Sequence, residues 1–215
     1  MGATNGTQQV ASRASSDPDL QIGMPMGYND VSITSTYNQN GVVSLWDYSQ
    51  GNQTTVLNDN SPDFFVTYAQ TELLLAEAII RGWVNGDAQD AFSSGIRANM
   101  EQMSDYGSNA TIDNAAIDNY LQAHQLDISK ALEQINTQYW VATFLNGPEC
   151  WANFRRSGFP ILTPNPYPGS EIPGGFIHRL VYPDAEYVIN KPNVEEANSR
   201  QGSDKLETHV WWDKD

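Results

Sequence analysis

A single cysteine, Cys150, stands in 215 residues, which excludes an internal disulfide framework and any zinc site built from several thiolates. Basic side chains are also scarce. Eleven Lys plus Arg against 26 Asp plus Glu leave a net charge of −15, a field that repels phosphate backbones and anionic lipid surfaces, so nucleic acid is not an expected partner. No apolar run approaches the roughly 20 residues that span a bilayer. The three histidines, His124, His178 and His209, are far apart in sequence with no i, i+4 pair. The Asn58-Asp59-Asn60 cluster with Asp63 lacks a complete calcium-loop pattern, so neither a metal nor another cofactor is expected. There is no Gly-x-Ser-x-Gly, and Cys150 has no neighbouring histidine, which leaves no nucleophile motif. A glycoside hydrolase would need two carboxylates roughly 5–10 Å apart across a cleft, and no feature of the sequence places such a pair. The chain does not read as an enzyme.

What is present is a folding chain rich in aromatics. With 40% hydrophobic and 11% aromatic residues against 17% charged, most of it must bury a core. Three zones follow from the patterning. Residues 1–61 carry turn formers and little helical period, with short strands expected, the best over Gly41–Tyr48. Met1–Ser16 has neither a basic flank nor an apolar stretch and does not read as a secretory leader.

Residues 62–158 switch to helical period. Phe64–Trp83 is apolar around most of its circumference, with Thr67, Gln70, Thr71, Glu77 and Arg81 on one narrow polar stripe, which predicts a helix buried on most sides and capped by Asp63. A second helix starts at Asp87 and packs through Ala88, Ala91, Phe92, Gly95, Ile96 and Met103. A third covers about Asn114–His124. A fourth carries Ile128, Ala131, Leu132, Ile135, Tyr139 and Ala142 on one face until Gly147-Pro148, and a fifth runs Glu149–Arg156 to Gly158. Residues 159–215, with prolines at 160, 164, 166, 168 and 173, read as an extended tail docked on the core, with one short helix near Asp184–Asn190. Residues 61–215 with their loops are expected to form a single domain.

The ordered segments Thr67-Tyr68-Ala69-Gln70-Thr71-Glu72-Leu73-Leu74-Leu75-Ala76-Glu77-Ala78, Gly95-Ile96-Arg97-Ala98-Asn99-Met100, Phe144-Leu145-Asn146-Gly147-Pro148-Glu149-Cys150-Trp151, Phe154-Arg155-Arg156-Ser157-Gly158, Arg179-Leu180-Val181-Tyr182-Pro183 and Val210-Trp211-Trp212-Asp213 resemble the C-terminal portion of SusD/RagB-type nutrient-binding lipoproteins of Bacteroidetes. The resemblance implies a mainly α fold of tetratricopeptide-like helical hairpins with long loops, and a non-catalytic role in polysaccharide utilisation. It also implies an oligosaccharide or polysaccharide ligand, or a peptide, presented to a TonB-dependent outer-membrane transporter. Contact with the membrane would be only through an N-terminal lipid, whose cysteine would lie upstream of this chain. A truncated scaffold of the same family without its own ligand site is the alternative it leaves open.

Sugar recognition in water uses flat aromatic faces beside amide and carboxylate hydrogen-bonding groups on loops. Trp46, Asp47 and Tyr48 supply these types in the first zone and are the leading ligand-binding candidates, followed by Tyr28, Tyr37 and Asn38; packing of a hairpin is the competing reading for Trp46. Trp83, Trp140 and Trp151 are expected to pack the core, and Trp211 and Trp212 to pin the tail. Glu72 falls on the apolar side of its helix, where a carboxylate needs a cation, so a structural ion pair with Arg97, Arg155 or Arg156 is expected. Cys150 reads as a small buried hydrophobe.

Overall fold

The computed structural model describes residues 3–4, 7–8, 20–29, 31–33 and 48–213. Helix dominates among them: α1 Tyr68–Ile80, α2 Ala88–Gln102, α3 Asn114–Ala123, α4 Ala131–Ala142, α5 Gly147–Ser157, α6 Asp184–Ile189 and α7 Lys191–Gln201. Strand is limited to the two-residue β1 Ala3–Thr4 and β2 Thr7–Gln8, antiparallel with Ala3 opposite Gln8. The mainly α class expected from the resemblance is therefore the class observed. The strand expected over Gly41–Tyr48 lies, except for Tyr48, outside the described residues. Two units divide the chain, Asn52–Leu162 and Met1–Gly51 with Thr163–Asp215.

In the unit Asn52–Leu162, α1 begins later than the apolar run suggests. Thr67, not Asp63, is its cap: the Gln70 N–H donates to Thr67 Oγ1 at 3.2 Å and the Thr67 N–H donates to Gln70 Oε1 at 2.8 Å, so two otherwise orphaned donors are satisfied reciprocally. α2 opens on Asp87, whose carboxylate accepts from the Gln89 and Asp90 N–H groups, as its position predicts. Gly95 sits where the two helices cross. A Cβ there would stand 2.7 Å from Leu73 Cγ and 3.2 Å from the Ala69 carbonyl oxygen, so only a hydrogen permits the approach.

The core gathers Ala69, Leu73 and Ala76 of α1, Ala91, Phe92 and Ile96 of α2, and Ala131, Ile135, Tyr139 and Ala142 of α4. These are largely the residues whose spacing predicted one packing face. Ile117 is the buried residue of α3. α4 is shorter than expected, because Ile128–Lys130 forms a 3₁₀ turn and leaves Ile128 exposed. α5 starts on the Asn146 cap with Pro148 in its first turn and ends at Gly158, whose φ of 75° is the left-handed cap conformation. The outer face of α1 departs from expectation: Tyr68, Leu74 and Leu75 are exposed, so this helix is covered along one side only. Trp83 is 71% exposed with the Arg81 guanidinium over its ring at 5.4 Å, which corrects its reading as a core residue.

In the other unit the prolines limit helix only as far as Pro183. Beyond it α6 forms where a short helix was expected, and α7 follows with Pro192 in its first turn and Gly202 after its last residue. The composition of the tail concealed α7, because its helix signals lie downstream of the proline cluster. Val194 is buried. A polar knot ties the segment after α7 to the segment before α6: Asp204 meets Arg179 at 2.8 Å, accepts from the Tyr182 N–H, and accepts from the Tyr187 hydroxyl at 2.7 Å. With both Arg179 and Asp204 side chains at 8% exposure, these bonds supply the compensation that buried charges require.

Candidate functional site

Two surface features of the second unit carry the residue types that sugar recognition needs. The first is a pair of loops. Asn29 Oδ1 accepts from the Val31 and Ser32 N–H groups at 3.1 and 2.8 Å, and its amide donates to the Tyr167 hydroxyl at 3.4 Å. Gly27 approaches Pro166 so closely that a Cβ would stand 2.6 Å from Pro166 Cγ. Tyr28, at 44% exposure, and Tyr167 are thereby held as open rings on adjoining loops.

The second feature is a cleft of about 380 Å³ lined by Tyr182, Ala197, Arg200, Gln201, His209, Val210 and Trp211. Trp211 is 82% exposed, so the expectation that it pins the tail is corrected for this ring; Trp212 is 44% exposed. They sit on a turn at the end of the described chain. Tyr182 is faced by the Arg179 guanidinium at 4.7 Å. A flat indole, a phenol, a guanidinium and a carboxamide around one open cleft can stack on an apolar sugar face and donate to its hydroxyl groups. The aromatic pattern of the terminal motif was the available signal, and it was read as packing.

The remaining candidates are placed differently. Trp46, Asp47, Tyr37 and Asn38 lie outside the described residues. Tyr48 is 4% exposed, so its ring offers no face to a ligand, and its hydroxyl has no hydrogen-bond partner among the described residues. Its position is that of a packed side chain.

The ion-paired carboxylate of α1 is Glu77, not Glu72. Glu72 is half-buried and bonded to the Tyr68 hydroxyl, which it holds above the usual tyrosine range. Arg97 pairs instead with Asp118 and Glu101, and Arg155 lies over the Trp151 ring at 4.6 Å. Glu77, at 2% exposure, accepts from Arg156 Nη1 and Nη2 at 2.6 and 2.8 Å and from Arg81 Nε at 2.7 Å. Arg156 also donates to Asn136 and Asn153, and Asn153 donates to Asn136 at 3.1 Å. The period-based stripe put Glu77 toward solvent, whereas α5 covers that stripe with a basic residue. Burial alone would raise the Glu77 carboxyl, but the hydrogen bonds and charges of Arg156 and Arg81 outweigh it and hold the group at about 2.

A neighbouring chain of hydrogen bonds runs from Gln70 Nε2 to the Tyr139 hydroxyl at 3.3 Å and on to Glu149 at 2.7 Å; burial, then Glu149, pushes that hydroxyl up to about 12. Cys150 is half-buried with its sulfur 3.0 Å from Thr143 Oγ1, a more polar setting than a small apolar filler. Trp140 and Trp151 are half-buried. The histidines also depart from expectation, because His178 and His209 meet Asp213 in space: their Nδ1 atoms lie 2.8 and 3.5 Å from the same Asp213 Oδ2.

Among the described residues no helix is long and apolar enough to cross a membrane. Comparison with known proteins adds the family. A SusD-like family model described as "Starch-binding associating with outer membrane" matches residues 11–183. A solved chitin-binding protein is 38% identical with a TM-score of 0.68, over 72% of this chain and 34% of its own. A SusD homologue from Bacteroides fragilis is 28% identical with a TM-score of 0.74, over 91% and 44%. A SusD-like protein from Bacteroidetes is 28% identical with a TM-score of 0.70, over 92% and 41%. The matched chain thus spans between about a third and under a half of these structures' lengths. No curated protein matches. With the family model covering most of its length and its helices superposing on these structures, the chain belongs to the SusD-like family.

Proposed function

We propose that this chain is part of a non-catalytic glycan-binding protein of the outer membrane, one that captures oligosaccharide at the cell surface and presents it to a TonB-dependent transporter. Its lipid anchor would be carried by the whole protein. The observation that carries the reading is the cleft beside α7, where the open Trp211 ring stands with Tyr182, Arg200 and Gln201. Aromatic stacking and hydrogen bonding capture a neutral sugar without polarising any bond, and among the described residues no pair of carboxylates lines this cleft. The chitin-binding relative makes β-linked N-acetylglucosamine oligomers the first ligand to try, and the family description makes maltooligosaccharides the second. Tyr28 and Tyr167 form a second place where a longer glycan would lie.

Calorimetric titration of the full chain with each oligomer series tests this. Saturable binding without release of shorter products is expected, and Trp211→Ala should weaken it about tenfold, the loss of one ring–sugar stack. Tyr28→Ala reports separately on the loop pair. Accumulating hydrolysis products would overturn the reading.

A scaffold role is favoured by one observation, the limited share of the solved relatives' length that the chain covers. It predicts binding of neither glycan nor peptide, with association with the transporter retained. Peptide binding without glycan binding would change the ligand class and keep the transport role.

A further inference from the structure

We infer that His178, His209 and Asp213 form a binding site for a divalent transition-metal ion of the zinc type. One ligand atom from each residue lies within 4.8 Å of the other two. His178 Nδ1 is hydrogen-bonded to Asp213 Oδ2 at 2.8 Å, and His209 Nδ1 lies 3.5 Å from the same oxygen. Zinc–nitrogen and zinc–oxygen bonds of roughly 2.0–2.2 Å at a tetrahedral angle put ligand atoms about 3.3–3.5 Å apart. The longer contact already has that spacing. The shorter is a hydrogen bond whose proton an incoming cation would displace. The two imidazole rings are 3.8 Å apart and inclined by 31°, closer than two ligands on one ion sit, so His209 must turn outward on binding. It has room to do so, being 39% exposed and on the wall of the 380 Å³ cleft. That cleft also gives water access to a fourth position, the arrangement of three protein ligands plus solvent.

The backbone anchors two of the ligands, His178 and Asp213, before any ion arrives. The His178 and Arg179 N–H groups both donate to the Leu206 carbonyl, at 2.8 and 3.3 Å, and the Asp213 N–H donates to the Val210 carbonyl at 2.9 Å. Asp213 closes the turn that starts at Val210, the residue after His209. The adjacent Arg179 charge is neutralised by Asp204 at 2.8 Å, and the net charge of −15 favours cation approach. Imidazole nitrogens with one carboxylate suit zinc-type ions, whereas calcium and magnesium prefer all-oxygen sets. The ion would clasp the turn carrying Trp211 to the segment before α6. This site stands on its own residues and does not depend on the glycan reading.

The test is titration of the untagged, chelator-treated full chain with zinc chloride, followed by calorimetry and by tryptophan fluorescence. One zinc per chain at micromolar concentration is expected, with a fluorescence change from the turn that closes. His209→Ala and Asp213→Asn should each weaken binding more than about tenfold, and His124→Ala should leave it unchanged. Cobalt substitution should give the intense visible absorption of a four-coordinate site. His178→Ala is the harsher variant, since that side chain is less exposed, and the more open His209 keeps the test decisive if it fails to fold. Absence of saturable zinc binding, or binding equal to wild type in both His209→Ala and Asp213→Asn, would overturn the site.

Discussion

Glu77→Ala is expected to lower the stability of the helical unit by about 3 kcal/mol, as read from urea unfolding at neutral pH. The carboxylate is buried and receives three charged hydrogen bonds, from Arg81 and twice from Arg156. Removing it leaves two guanidinium groups facing each other without their counter-ion. The loss sits at the lower end of the range for broken buried pairs, because Arg81 and Arg156 are 32% and 39% exposed and can turn toward water. Arg156 would then release Asn136 and Asn153, which are buried at the α4–α5 contact. The same group sets an acid limit. Its folded value of about 2 lies below its ordinary 4.5, so its stabilisation is complete above 4.5 and is lost as the pH falls toward about 2. The gap between wild type and Glu77→Ala should therefore shrink over that window; a gap unchanged between neutral pH and about 2 would mean that the carboxylate does not work through its charge.

Phe92→Ala should cost about 3–5 kcal/mol in the same assay. Phe92 is 2% exposed, is among the largest fully buried side chains, and belongs to the core that α1, α2 and α4 share. Its neighbours cannot collapse into the space, since Gly95 already lets α1 and α2 approach until Leu73 would touch any added carbon. Phe92→Leu retains most of the volume and should recover more than half of the loss. A cost below about 1 kcal/mol for the alanine variant would mean that this core is loosely packed.

The helical period located the packing faces of α2 and α4, because a residue's angular position on a helix follows from its number alone, whereas on α1 it put Gln70 and Glu77 on the polar stripe although both are buried. Asp87 and Gly158 were legible for a similar reason: capping is decided within one turn of chain. Thr67 displaced Asp63 as a cap because Gln70 could reciprocate, a local signal that the apolar run Phe64-Phe65-Val66 obscured. The exposed Trp83 and Trp211 were misread because a large aromatic is usually buried and nothing in a single sequence says which ones remain open.

Sequence alone determined that this is a mainly helical, acidic chain of one cysteine that resembles SusD-type proteins. Composition and short-range period are properties of neighbours in the chain, and they are enough for that. Only the tertiary structure decided which acid of α1 is buried against arginines, since Glu77 meets Arg156 across 79 residues. It alone set Asn29 beside Tyr167 and brought His178 to Asp213, across 138 and 35 residues. Such meetings depend on how packed elements close the chain on itself, and periodicity within one helix carries no information about its partner.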